Sequence, residues 1–544
     1  MATYAFGNIG FIRQELRQMM PKYTQIEDCL AGDMAIKQRD GLAIYNSAIY
    51  NSAISNYGSN IRNCSRAVYL PMPNSYDLSN ENLERYQTYL QGAVFYNVTA
   101  RTHSSLTGLV KTYNADAKLP DKLKNLKGDT NGSGITLRQL AKRCVQYNLA
   151  QGRGGVLTDF PTTGGTITKD KILNGDVSPT MIFYKPKDII NWRHEYINGR
   201  DVLVLVVIAE RFWQSDDGFE ITEGNQWKVL RLEPLDGKLV YSIETFKKNE
   251  NNTDWIRIPV SSDYFPSGES FKIFPTDKDG NYFDYIPFEF EGSENNDSNV
   301  DHPPIYDLTV LNIAHYRNSA AYEESCLLMG QPTLWASGMT QEWVDDVLKG
   351  KILLGVRGGL MMPSGAQAGL LQASPNTLAF EAMKLKEEQM RAIGAKLVEL
   401  SAGNRTTATE AMLDDSSESS VLINAAGNAS DCLTRSLHSA CRFVGADPKE
   451  AKVDLDTDLE ITRLTPLEQQ QVVANWQADA ITEGEMRRMF KRAGLTQDNE
   501  EEAIKQLQES RDKKRADEIA RIGEVNKINQ KVLPETKPTI KPIK

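Results

Sequence analysis

Histidine is scarce in this sequence, with five in 544 residues. The six cysteines (Cys29, Cys64, Cys144, Cys326, Cys432 and Cys441) are scattered along the chain and form no CxxC pair. A zinc site needs clustered ligands, so none is expected, and the thiols read as buried and reduced in a reducing compartment. Also missing is Gly-x-x-x-x-Gly-Lys-[Ser/Thr], the phosphate loop of an ATP-driven motor. No His-Glu-x-x-His and no Gly-x-Ser-x-Gly occurs, so zinc and serine hydrolysis have no motif to rest on. No catalytic residue, metal or cofactor is expected, and the chain does not read as an enzyme.

Long apolar runs are absent too. The longest strand-like one, Val202 to Ala209, falls well short of the ~18 residues of a membrane-crossing helix. The opening residues, Met1-Ala-Thr-Tyr-Ala-Phe6, carry no basic segment ahead of an apolar one, so no secretory signal is expected and synthesis in a cytoplasm is. Basic charge is in deficit: the formal net charge is −10. A nucleic-acid clamp normally shows a basic field, so gripping is disfavoured. A conduit is not, because a channel in which DNA slides has to avoid the affinity that many phosphate contacts bring.

What is present is ordinary soluble composition, 40% apolar and 25% charged, in a chain long enough for several packed regions. A short helical arm is expected from Ile12 to Met20, ended by Pro21. Then comes Ala43-Ile-Tyr-Asn-Ser, repeated at Ala48 and begun again at Ala53, with a period that suits neither helix nor strand. Residues 80–111 read as one helix with Leu83, Tyr86, Leu90, Val94 and Val98 on a stripe, and 136–149 as a second. From Val156 to Phe290, short β-rich runs (202–209, 226–232, 239–245 and 255–260) alternate with Gly, Asp and Asn turns, as in antiparallel sheet. Gly152-Arg-Gly-Gly155 follows a helix and lacks the GxGxxG spacing, so it reads as a turn with positive φ rather than a phosphate site. Residues 291–301 are acidic and polar, a candidate boundary.

Beyond that point a long helix opens at Pro303-Pro304 and runs to about Gly330. Residues 331–375 form a compact mixed module: a strand at 332–336, a helix capped by Thr340 with Trp343, Val344, Val347 and Leu348 as core, and strands at 352–356, 360–362 and 369–372. A second long helix spans 377–400. Its apolar stripe is Leu378, Ala382, Leu385, Ile393, Leu397 and Leu400, and its polar face carries Lys384, Lys386, Glu387, Glu388, Arg391 and Glu399. Ser401-Ala-Gly-Asn-Arg405 interrupts it before a third helix, 409–444. Near the end, 466–479 is a Gln-rich helix, and a further helix follows Thr482, a candidate N-cap with Glu485 in the capping-box position.

This order of helix, tip, helix, loop, helix is similar to the core of tailed-bacteriophage portal proteins. Tyr96-Asn-Val-Thr-Ala-Arg-Thr102 with Leu106 and Gly108, Gln151-Gly-Arg-Gly-Gly-Val-Leu157, and Thr407-Ala-Thr-Glu-Ala411 with Ser419-Ser420-Val-Leu422 look like signatures of one branch of that family. The resemblance covers residues 65–525 and implies an α+β portal fold with wing, stem, clip and helical crown. It places the wing at 65–302, stem helices at 303–331 and 376–400, and the clip at 332–375. The tunnel loop would be 401–408, the channel helix 409–447 and the crown 448–525. Outside the resemblance lie an N-terminal arm and packed segment, 1–64, and a tail, 526–544, whose Pro/Lys-rich sequence reads as extended and flexible. It also implies a ring, by analogy a dodecamer, at one vertex of the virion capsid, assembled in the host cytoplasm. Through that ring double-stranded DNA is packaged and ejected. Its partners would be the terminase motor, then head–tail adaptor or tail proteins, with the major capsid and scaffold proteins around it and no membrane.

Carried onto this sequence, the tunnel loop supplies Gly403, Asn404, Arg405 and Thr406, with Lys396 ahead of it, and Arg405 is the favoured phosphate contact. Trp335 and Trp343 are candidates for the clip docking surface, or for core of a small module. Asp414, Asp415 and Glu418 read as an acidic helix face rather than a catalytic set, and His315 as a packed or interface histidine. Two alternatives stay open: a phage-encoded nucleic-acid enzyme such as a terminase or nuclease, and a structural head–tail adaptor that forms no ring.

Overall fold

Helix α1 (Gln14–Ala31) runs through Pro21 instead of ending there, so the arm expected to stop at Met20 is too short. A proline inside a helix costs roughly 3 kcal/mol. Leu16, Tyr23, Ile26 and Cys29 are fully buried along the stripe that spans it, each worth about 1.5–3 kcal/mol, so burial outweighs the proline. Thr24 Oγ1 also donates to Met20 O at 3.0 Å.

The computed structural model describes residues 7–39, 68–77, 79–110, 117–159, 178–216, 218–249, 254–259, 271–330, 333–343, 345–346, 364–371, 377–396, 421–455, 466–478 and 480–492, with a few more between 508 and 519. The Ala-Ile-Tyr-Asn-Ser repeat, the strands expected at 352–362, the loop 401–408, the acidic trio at 414–418 and the tail all lie outside them. The chain divides into two compact units, Met1–Thr457 and Asp458–Lys544, and the class is α+β.

In the first unit, α2 (Asp33–Gln38) follows α1, and the single helix expected over 80–111 is two, α3 (Asn80–Gly92) and α4 (Val98–Leu109). The break has local causes. The Asn97 side chain accepts from Ala100 N and caps α4. Between the helices, Val94 N donates to Ser319 Oγ at 3.1 Å, and Asn312 Nδ2 donates to Tyr96 O at 2.8 Å. Tertiary bonds thus take over backbone groups that a continuous helix would use itself. Helix α5 (Leu137–Gln151) begins on a full capping box formed by Thr136 and Gln139.

The β-rich stretch is antiparallel, as its turns and alternation suggest. Strands β1 (Arg153–Asp159), β2 (Thr180–Tyr184) and β9 (Phe288–Gly292) form one sheet in the order β2-β1-β9. The second sheet has the order β3-β4-β5-β6-β7: β3 (Ile189–Ile197), β4 (Arg200–Asp216), β5 (Ile221–Leu235), β6 (Lys238–Lys248) and β7 (Trp255–Arg257). Strand β8 (Lys272–Ile273) also pairs with β6. Two-residue turns, Asn198-Gly199 and Asp236-Gly237, connect β3 to β4 and β5 to β6 with positive φ at every position. The main core joins both sheets to α1: Leu157, Trp192, Val206, Leu230, Tyr241 and Phe288 pack with Leu16 and Tyr23.

Only the first glycine of Gly152-Arg-Gly-Gly155 makes the expected turn: Gly152 sits at φ 71° and ends α5. The next three residues are already strand. A Cβ on Gly154 would lie 2.6 Å from Phe183 Cε2, and one on Gly155 would overlap the Phe288 ring. These glycines exist so that aromatic rings can lie on the backbone. The acidic stretch 291–301 falls inside the first unit rather than between units, and its first residue, Glu291, is fully buried in β9.

The second unit contains two described helices of length, Pro466–Gln477 and Glu483–Arg492. Glu485 N donates to Thr482 Oγ1 at 3.2 Å and Thr482 N to Glu485 Oε2 at 2.8 Å, the reciprocal cap that the residue types suggest.

Candidate functional site

Helix α6 (Tyr306–Gly330) changes environment part-way along. Leu308, Thr309, Asn312, Ile313, His315, Tyr316, Ser319 and Ala320 are buried. Polar anchors hold this half in the body: Gln25 Nε2 donates to Thr309 Oγ1 at 2.9 Å, Thr99 Oγ1 to Asn312 Oδ1 at 2.9 Å, and Arg317 Nε to Tyr69 O at 2.8 Å. Past Ala320 the described side chains are exposed or half-buried. At 1.5 Å per residue, the remaining stretch extends about 15 Å.

Helix α7 (Leu378–Lys396) returns antiparallel beside α6. His315 Nε2 lies 3.5 Å from Glu387 Oε1. One heptad farther out, the Tyr322 and Phe380 rings stack with centroids 5.8 Å apart. At the inner end Met390 is buried with Ile26, Ala150, Ile305 and Leu308. Gly394 faces Thr102 of α4, where a Cβ would be 3.4 Å from Cγ2.

This register corrects the stripe expected for α7. Leu378 and Leu385 are 71% and 56% exposed, whereas Met390 is fully buried and Ala382 and Ile393 are half-buried. Pairing with α6 turns the helix so that Ala379, Ala382, Met383, Glu387 and Met390 face inward. Leu378 and Leu385 are left on the outside. Of the basic residues on the other face, Lys384 Nζ lies 4.3 Å from the Phe380 ring centroid, and Arg391 reaches Glu387 at 3.6 Å.

The outer ends of α6 and α7 are joined by a module whose described parts are an antiparallel pair, β10 (Thr333–Ser337) and β11 (Gln367–Leu371), and a turn of helix, Gln341–Trp343. Trp335 stands opposite Gly369, and a Cβ there would be 2.9 Å from Trp335 Nε1. The bare glycine lets the indole lie across the strand pair, and the ring remains 41% exposed. Trp343 is half-buried, and its backbone N donates to Thr340 O at 3.1 Å. Leu370, beside this pair, is also exposed.

Lys396 is the last described residue of α7. Gly403, Asn404, Arg405 and Thr406 lie outside the described residues. The chain is next seen in α8 (Val421–Val444), which lies back on the body with Leu422, Ala425, Ala429, Leu433, Leu437 and Ala440 buried. The stalk, its tip and the returning helix are therefore continuous in the chain. Among the described residues no group of three or more His, Cys, Asp and Glu side chains is placed to hold a metal ion, and no helix is long and apolar enough to cross a membrane.

Residues 304–444 match a family described as a domain of unknown function (DUF4055). The match begins just ahead of α6 and ends with α8, so it frames the stalk, tip and returning helix. No curated protein matches the sequence. Among solved structures, the chain is similar to one in the virion of a native gene transfer agent (GTA) particle, at 14% identity and a TM-score of 0.36, covering 76% of this chain and 94% of that one. It is also similar to a chain in the neck of the native GTA particle computed with C12 symmetry, at 14% identity and a TM-score of 0.34, covering 73% and 90%. A chain in the neck of the empty particle computed with C6 symmetry matches at 14% identity and a TM-score of 0.33, covering 74% and 91%.

Proposed function

We propose that this chain is the portal subunit of a tailed bacteriophage: a non-enzymatic ring component at one capsid vertex, through which DNA enters and leaves the head. The observation that carries this reading is the helix pair α6/α7, which leaves the body past Ala320, ends in the β10/β11 tip, and is followed by a helix lying back on the body. That order supports the stem and clip arrangement implied by the sequence resemblance. The body around β1–β9 is then the wing, and the loop before α8 is the tunnel loop facing DNA.

The parts divide the labour by their chemistry. A ring closes through head-to-tail contacts, and exposed Leu378 and Leu385 on α7 and Leu327 on α6 supply apolar surface for the neighbouring copy. The tip offers Trp335 to the packaging motor and later to an adaptor. The net charge of −10 per copy keeps the wall from gripping DNA, leaving loop side chains such as Arg405 as the close contacts.

Purified protein, viewed by electron microscopy down its axis, should form rings with a central channel wide enough for duplex DNA. A monomer at micromolar concentration, under conditions where the chain is folded, overturns the reading in favour of a non-ring adaptor. ATP or nucleic-acid hydrolysis by the purified chain overturns it in favour of an enzyme.

A further inference from the structure

Glu291 of β9 has no solvent exposure. It accepts a hydrogen bond from Asn148 of α5, whose Nδ2 donates to Oε1 at 2.7 Å and also approaches Ala425 O of α8 at 3.4 Å. One oxygen is left over on each partner: Glu291 Oε2 and Asn148 Oδ1 are both buried without a hydrogen bond. Two acceptors that lack a donor are a costly arrangement in a dry interior. A single proton on Glu291 Oε2 removes both deficits, since the acid can donate to Asn148 Oδ1 while it accepts from Nδ2.

The groups packed around this pair supply no charge to hold a carboxylate. From α5 comes Cys144 and from α8 Cys432, both fully buried thiols; Arg143 of α5 has an exposed side chain. From β1 comes Gly154, whose missing Cβ would lie 3.6 Å from Glu291 Oε2. Arg435 of α8 approaches Glu289, two residues earlier in β9, at 3.9 Å. Helix α8 rests directly on this ground. Asn428 Nδ2 donates to Gly292 O and Asn296 Nδ2 to Asn428 O, both at 2.8 Å, and Cys432 Sγ donates to Glu289 O at 3.8 Å.

We propose that Glu291 is a neutral acid, paired reciprocally with Asn148, that pins helix α8 to the body, and that its ionisation loosens α8. Alkaline conditions then act on α8, the returning helix of the 306–444 run. The pin concerns only α5, β9 and α8, and does not depend on the ring reading. In agreement with it, burial pushes the Glu291 carboxyl up to about 8, opposed by a hydrogen bond from Cys144, and burial pushes Glu289 up to about 7, opposed by Arg435.

The sign follows from proton counting. Between the unfolded value near 4.5 and the folded value near 8, the folded chain holds a proton that the unfolded chain has lost. The stability contributed by this group is therefore complete at low pH, falls as pH rises through that window, and levels off above it. Glu291→Gln keeps an acceptor and a donor in the same places and cannot ionise. Its folding equilibrium constant relative to the parent protein should be near one at about pH 4 and rise up to about tenfold per pH unit towards pH 8. A Glu291→Gln variant that is less stable than the parent by the same factor at every pH overturns the proposal. Amide exchange in the parent protein gives a reading that needs no variant. Corrected for intrinsic rates, protection of 421–444 should drop between pH 6 and pH 9, and protection unchanged across that range overturns the proposal as well.

Discussion

His315 and Glu387 face each other across the two stalk helices at the level where the stalk meets the body, 3.5 Å apart from Nε2 to Oε1. The distance is that of an ion pair, yet neither ring nitrogen of His315 makes a hydrogen bond, and the residue is only 2% exposed. Burial therefore dominates and holds the imidazole below its usual value, with Glu387 opposing. The pair works chiefly as a packed contact that sets the register repeated at Tyr322 and Phe380.

A pH test follows from that balance. Below an unfolded value of about 6.5 the unfolded chain takes up a proton that the folded chain refuses. Stability from this group is thus present above that value and is lost as pH falls below it. Against a His315→Gln variant, the parent's stability advantage should shrink as pH falls from 7 to 5.5, read from urea unfolding midpoints. An advantage that grows on acidification would mean that the charged pair with Glu387 governs instead.

The glycines of β1 give a prediction about the core. Gly154→Ala puts a methyl 2.6 Å from Phe183 Cε2, and Gly155→Ala drives one into the Phe288 ring. Both rings pack in interiors where overpacking costs about 1–3 kcal/mol. Each variant should lose stability of that order in chemical denaturation, with Gly155→Ala the worse. Gly132→Ala meets no atom within 4 Å but sits at φ 81°, so it should cost about 1 kcal/mol through backbone strain alone.

Much of this architecture could be read from residue patterns, and the failures share a physical cause. Strands β4 to β6 announced themselves by alternation and by Asn-Gly and Asp-Gly turns, because such signals are local. The order of long helix, strand-bearing segment, long helix and further helix over 306–444 was equally legible, as was the Thr482–Glu485 cap. What could not be read were outcomes decided by distant partners. Pro21 is overruled by burial of Tyr23 and Ile26, and the α3–α4 break by bonds to Asn312 and Ser319. The buried face of α7 is chosen by α6. Glu291 opens a polar run that looks like solvent-exposed loop, and only Asn148 and α8, far away in sequence, turn it into a core residue. An unusually buried polar pair leaves no trace in a single sequence.

The two faces of α7 separate folding from assembly, which permits a sharp test. Met390 is fully buried in the body cluster, so Met390→Ala should cost about 2–5 kcal/mol in unfolding experiments. Leu378 and Leu385 are mostly exposed, so the double change to serine should leave stability of the single chain within about 0.5 kcal/mol. If those leucines meet a neighbouring copy, the same double change should shift the particle from ring to monomer in light scattering. Burial of each in an interface would otherwise contribute about 1.5–3 kcal/mol, repeated at every junction of the ring. Rings that survive Leu378→Ser with Leu385→Ser would assign the subunit contact to another face and leave the outer surface of α7 to solvent or to the channel.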